Sequence, residues 1–205
     1  KGRLRSALCR INADLPADAI DEAMRLIQVP QYPSLLQNNH AFHRYIIHGI
    51  DIQIRQKDDS YLTQKVWLFD RDNIDNNEFL AVNQLTIIEN KHNRRPDVIL
   101  YVNGLPLVVV ELKNPTDENA TLEAAWNQLE TYKRDIPSLM VYNAFLVISD
   151  GMHAKAGSLT ASLDRYTFWK TIDGNNYASD DMPQLDALTQ GMLNRATLLD
   201  IVHNF

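Results

Sequence analysis

The sequence predicts an α/β fold with a mixed β-sheet flanked by helices. Apolar residues recur at helical spacing near both ends of the chain, and strand-like runs fill residues 50 to 112. A further compact apolar run at 144–148 follows a second helical stretch, the order expected when strands and helices share one core. Asp14-Leu15-Pro16 opens a helix with proline in its first turn, and Ile20, Met24 and Ile27 recur until Pro30 and Pro33 break it. Residues 51–55 alternate, Val66-Trp67-Leu68-Phe69 is a short apolar run, and residues 70–77 are dense in turn formers. Phe79 to Ile88 reads as one β-like segment. Val98–Val102 and Leu107–Leu112 face each other across Asn103-Gly104, a strong local hairpin signal. After Pro115, Leu122, Ala125, Leu129 and Tyr132 form a helical stripe bounded by Pro137. Ser158 to Trp169 is expected to hold further strands, 174–182 a surface loop, and Leu185 to Val202 a closing helix.

Composition narrows the classes. The chain has 205 residues, 45% hydrophobic and 22% charged, which fits one globular domain over 1–205 and excludes a disordered or fibrous chain. Its apolar runs, such as Leu105–Val110, are far shorter than the roughly 18 residues of a membrane span, so no membrane partner is expected. A lone cysteine, Cys9, forms no internal disulfide, which fits a reducing, cytoplasmic setting. The chain starts at Lys1 rather than methionine and is expected to be a fragment. Its net charge of −6 makes any nucleic-acid contact local or assisted. There is no glycine-rich phosphate loop, no Gly-x-Ser-x-Gly elbow and no cysteine pair for zinc, so ATP hydrolysis is not expected here. His40 and His43 share a helical spacing but have no further ligand motif nearby, and read as ordinary histidines.

The informative stretch runs from Pro96-Asp97 through Glu111-Leu112-Lys113. It sets an aspartate at the start of one strand and Glu-x-Lys at the end of its hairpin partner, with Glu111 and Lys113 on one face. Two carboxylates beside an ammonium suit Mg²⁺, which prefers oxygen ligands, with the lysine placed to orient water or steady charge on a phosphate. Glu-x-Lys alone is also what a solvated strand end looks like, as in the second copy Glu89-Asn90-Lys91. The order Pro-Asp, strand, tight turn, apolar strand, Glu-x-Lys separates the two, because charged groups leaving a core strand require an opposing group. Gln128 and Tyr132, four apart, share a helical face. Tyr132 alone reads as a core aromatic, whereas Gln128 beside that stripe implies a polar cleft. Lys91-His92-Asn93-Arg94-Arg95 leads into Pro96, either as a solvated loop or as phosphate contacts through Lys91, Arg94 and Arg95.

Asp97, Glu111-Leu112-Lys113 and Gln128-x-x-x-Tyr132 resemble the signature of the PD-(D/E)xK nuclease superfamily, in its subgroup with a trailing Gln-x-x-x-Tyr. The wider text resembles the N-terminal endonuclease domain of the restriction (R) subunit of type I restriction–modification enzymes. That likeness rests on Ala7–Asn12, Asn77–Gln84, Arg95 through Pro115, and Leu198–Phe205. It implies a PD-(D/E)xK restriction-endonuclease-like core in which Asp97, Glu111 and the Leu112 carbonyl bind Mg²⁺ and Lys113 assists hydrolysis of double-stranded DNA. Gln128 and Tyr132 would line the cleft, and an N-terminal acid among Asp18, Asp21 and Glu22 would be a further candidate. It also implies an ATP-driven motor beyond Phe205 and methylation and specificity subunits as partners. A recombination or repair nuclease, or a non-catalytic interaction module, are the other readings.

Hairpin register decides whether the two carboxylates can meet. A regular two-residue turn at Asn103-Gly104 pairs Val102 with Leu105 and leaves Asp97 and Glu111 on opposite faces. The metal reading therefore requires a three-residue loop over Asn103–Leu105 or a β-bulge that re-aims one side chain.

Overall fold

The computed structural model describes residues 1–114, 121–179 and 181–204. Pro115 and Phe205, used in the motif reading, lie outside the described residues. Three helices come first: α1 (Gly2–Ile11), α2 (Ala17–Gln28) and α3 (Leu35–His48). They lead to a hairpin of β1 (Ile50–Arg55) and β2 (Tyr61–Val66). Next come β3 (Phe79–Asn83), a small hairpin of β4 (Ile87–Glu89) and β5 (His92–Arg94), then β6 (Val98–Val102) and β7 (Leu105–Leu112). Helices α4 (Leu122–Asp135) and α5 (Pro137–Met140) connect β7 to β8 (Phe145–Ser149), followed by β9 (Ala154–Gly157), α6 (Gln184–Gln190) and α7 (Arg195–Asn204).

The central sheet has the order β3-β6-β7-β8-β9, antiparallel except for the parallel pair β7–β8. That is the mixed sheet expected from the sequence. Each face of it carries its own core. On one face Val102, Leu105, Leu107, Val108, Val110, Phe145 and Val147 pack with buried residues of α1, α2, α3, β1, β2, α6 and α7. On the other, Ile99, Val109, Leu146 and Ile148 meet Ala125, Leu129 and Tyr132 of α4 and Ile136, Leu139 and Met140 around α5. Helix α4 starts at Thr121, whose hydroxyl accepts from the Ala124 N–H at 3.0 Å, and its apolar stripe is the one read from the sequence.

Several expectations are corrected. The helical N-terminal stretch is three helices, with α1 ahead of the one opening at Pro16 and α3 beyond Pro33. The segment Phe79 to Ile88 is two strands, broken where Gln84 turns left-handed (φ +53). Among the described residues of 158–169 there is only a short 3-10 turn, Leu163–Arg165, and one isolated bridge, Ala156↔Thr167. The closing helix is two helices, interrupted at Gly191, where a Cβ would meet Thr171 O at 2.1 Å and Trp169 Nε1 at 2.2 Å.

The turn of the central hairpin is the two-residue one, with Asn103 (φ +52) and Gly104 (φ +79) both left-handed, as this tight turn demands. It is anchored rather than free. Asn103 is fully buried and donates to Leu68 O and Asn77 Oδ1, both at 2.9 Å, while a Cβ on Gly104 would press on Leu4 N of α1 at 2.9 Å. Near the turn the register is Val102↔Leu105 and Tyr101↔Pro106, but from Leu100↔Val108 to Val98↔Val110 it has shifted by one. Leu107 is the extra residue, a β-bulge whose carbonyl instead accepts from Ala144 N at 2.7 Å. The bulge exchanges the faces of β7. Leu105 and Leu107 lie in the first core before it; Val108 and Val110 do so after it, which turns Val109 toward the second. Glu111 thereby comes onto the α4 face, opposite Asp97.

Candidate active site

The site lies where β6 begins and β7 ends, on the α4 face of the sheet. All four carboxylate oxygens of Asp97 and Glu111 have a donor. Asp97 Oδ2 accepts from the Leu112 N–H at 2.8 Å, and Oδ1 from Gln84 Nε2 at 2.6 Å. Glu111 Oε1 accepts from Lys113 Nζ at 2.9 Å, and Oε2 from the Tyr132 hydroxyl at 3.0 Å. Each oxygen is thus steered by one hydrogen bond and keeps lone-pair capacity for another partner.

The electrostatics follow from burial. Glu111 is 4% exposed, and loss of water pushes its carboxyl above the ordinary range. The Lys113 hydrogen bond pulls the other way, while the neighbouring Asp97 charge adds to the rise. Burial and the Glu111 charge push the Tyr132 hydroxyl up as well, so it remains a protonated donor; Gln128, beside it, acts in the opposite direction. Two carboxylates are held together here with one ammonium, which is paired with Glu111. Oxygen donors in that balance suit a hard divalent cation, and Mg²⁺ is commonly held by one or two carboxylates, its other positions going to water and phosphate. Among the described residues no group of three or more His, Cys, Asp or Glu side chains is placed to hold a metal ion, and Asp97 and Glu111 are the two carboxylates of this site.

The structure thus brings together Asp97, Glu111, Leu112, Lys113, Gln128 and Tyr132. It does not bring the N-terminal acids to them. Asp18, Asp21 and Glu22 sit on α2, whose buried residues belong to the core on the opposite face; Asp21 pairs with Arg5 and Glu22 with Arg25. Arg94, a candidate phosphate contact in the sequence, is tied to a carboxylate. Its Nε and Nη2 donate to Asp135 Oδ2 at 2.9 and 2.5 Å, while Arg134 Nε donates to Oδ1 at 2.8 Å. The hydrogen bonds of Arg134 and Arg94 hold the Asp135 carboxyl down at about 2. Lys91 and Arg95 are exposed and have no side-chain partner among the described residues; Lys91 lies in the β4–β5 turn (φ +66). His43 Nε2 contacts Asn143 O at 3.0 Å, a structural role. Sequence reasoning missed Gln84, which also donates its backbone N–H to Asp97 O at 2.9 Å. Only its place just before the strand break marks it out.

No helix among the described residues is long and apolar enough to cross a membrane. Residues 1–165 match the family model of the type I restriction enzyme R protein N terminus. The type I restriction enzyme HindI endonuclease subunit of Haemophilus influenzae is 40% identical over 208 residues, covering 99% of this chain and 19% of that protein. A putative type I restriction enzyme MjaIXP endonuclease subunit of Methanocaldococcus jannaschii is 28% identical, over 100% of this chain and 21% of its own length. The type I restriction enzyme EcoprrI endonuclease subunit of Escherichia coli is 31% identical over 69% of this chain. The chain therefore spans about a fifth of the first two relatives. It belongs to the family of the type I restriction enzyme R protein N terminus.

Proposed function

We propose that this chain is the DNA-cleaving part of a type I restriction endonuclease subunit, hydrolysing phosphodiester bonds of double-stranded DNA with Mg²⁺. Asp97, Glu111 and the Leu112 carbonyl would hold the ion, which when bound supplies Lewis-acid activation of the phosphate and of the attacking water. The chain's own residues do the positioning. Leu112 N–H and Gln84 fix Asp97; Tyr132 and Lys113 fix Glu111; Gln128 supports Tyr132. Lys113 would also donate to a phosphate oxygen as negative charge develops on it. ATP-driven translocation would come from a motor outside this chain, and sequence recognition and methylation from partner subunits.

The observation that carries this reading is the Leu107 bulge, which puts Asp97 and Glu111 on one face when a regular hairpin would separate them. In the reconstituted restriction complex, Asp97→Ala, Glu111→Ala and Lys113→Ala are each expected to lower cleavage of circular DNA by about 10³-fold or more, the scale of lost transition-state stabilisation, with ATP hydrolysis retained. Wild-type cleavage by all three variants would reject the nuclease assignment.

A further inference from the structure

One rung of the sheet crosses the whole active face. Glu111 on β7 pairs with Ile148 on β8, and Ile148 with Lys155 on β9. Paired residues share a face, so Lys155 projects from the same side as Glu111, roughly 10 Å away at about 4.8 Å per strand. Beyond β9, the Ala156↔Thr167 bridge aligns Phe168 with Lys155, and the ammonium lies 4.6 Å from the ring centroid. The His153 ring is 6.5 Å from the same aromatic.

Lys155 differs from the ion-paired cations of this face. Lys113 is paired with Glu111, Arg94 with Asp135 and Lys133 with Glu130, whereas Lys155 has no ion pair among the described residues. The carboxylate at the end of β8, Asp150, is taken by the N–H groups of Met152 and His153 and by the His153 ring. An aromatic partner orients an ammonium without neutralising it, so its charge stays available to an anion. It stands on β9, the last strand of the central sheet, on the same face as Glu111, in a chain of net charge −6.

We propose that Lys155, seated on Phe168, holds a backbone phosphate of the DNA strand on the β9 side of the bond being cut. The exposed Arg95 and Lys91 precede Asp97 on the β6 side, so the strand crosses the sheet edge between two sets of cations.

This inference rests on the nuclease reading, and its test separates the two. Lys155→Met keeps the chain length packed on Phe168 and removes only the charge; Lys155→Arg keeps the charge. Both are compared with Asp97→Ala in the full subunit within its complex, measuring DNA cleavage rate against salt, ATP hydrolysis and Tm. Lys155→Met is expected to cut about tenfold more slowly and to lose about one unit of the log–log salt slope. Lys155→Arg is expected to match wild type, and neither variant to change ATP hydrolysis or Tm. A wild-type rate and salt slope in Lys155→Met, with Asp97→Ala inactive, would overturn the subsite alone. Wild-type cleavage by Asp97→Ala would overturn the nuclease reading beneath it.

Discussion

Two buried carboxylates, Glu111 and Asp135, are solved by the fold in opposite ways. Glu111 is 4% exposed and Asp135 1%, and each touches a basic side chain. Asp135, at the end of α4, receives two arginines and is held down at about 2; Glu111 receives one lysine, sits beside another carboxylate and is pushed up. The first is a satisfied structural charge joining β5 to α4. The second is under-neutralised. A buried charge left short of partners destabilises the fold, and such sites are where a ligand is expected to complete the balance.

The largest effect that sharpens this contrast is in Glu111→Gln. Cleavage is expected to fall about 10³-fold or more, while the metal-free fold does not weaken. The sign follows from the raised carboxyl: between its ordinary value near 4.5 and its folded value, the native state binds the extra proton, so stability falls as pH rises through that window. Removing the charge should therefore raise Tm at pH 7, by about 2–4 °C for each kcal/mol of desolvation relieved. The gain should vanish as pH drops below about 4. A lower Tm at pH 7 would break the contrast.

Next in size is Gln84. Gln84→Asn keeps a residue tolerant of the left-handed backbone but shortens the reach to Asp97. Cleavage should fall about tenfold, the low end for an outer hydrogen-bonding partner, with a higher Mg²⁺ concentration needed for half-maximal rate. An unchanged Mg²⁺ dependence would remove Gln84 from the site.

Arg94→Ala is expected to act on the other carboxylate. Asp135 contributes stability that is present above its ordinary pKa near 3.8 and lost as pH falls toward 2. The variant should unfold at a lower temperature at pH 7 and begin acid unfolding at higher pH, while cutting DNA normally at 25 °C where it is folded. Loss of cleavage at unchanged Tm would return Arg94 to the DNA-contacting set. The smallest effect is expected from Lys91→Ala and Arg95→Ala, each removing about one unit of salt slope from DNA binding by the full subunit, measured by anisotropy.

The legible parts of the molecule were those where local chemistry and tertiary structure agree. Asn103-Gly104 demanded a left-handed turn, and the Leu122–Tyr132 stripe demanded a helix with one apolar face. Helix α3 escaped because its packed face includes Asn38 and Asn39, buried by hydrogen bonds to Tyr32 O and to the 141–143 backbone rather than by apolar contact. The bulge was deducible only as a requirement of the chemistry. Residues 105–110 are apolar throughout and buried on both faces, so alternation could not locate Leu107. The break at Gly191 depends on Trp169 and Thr171, distant in sequence. For the site, the carboxylates and lysine stood in the text, whereas the roles of Gln84 and Arg94 depend on what lies across the sheet.

The claim at the centre of this account is that Asp97 and Glu111 share one divalent cation. Mn²⁺ binding to the full subunit, followed by electron paramagnetic resonance or calorimetry, tests it without relying on cleavage. Wild type and Arg94→Ala should bind the ion alike, and both Asp97→Asn and Glu111→Gln should lose that binding. Undiminished Mn²⁺ binding by Asp97→Asn and Glu111→Gln would contradict the account.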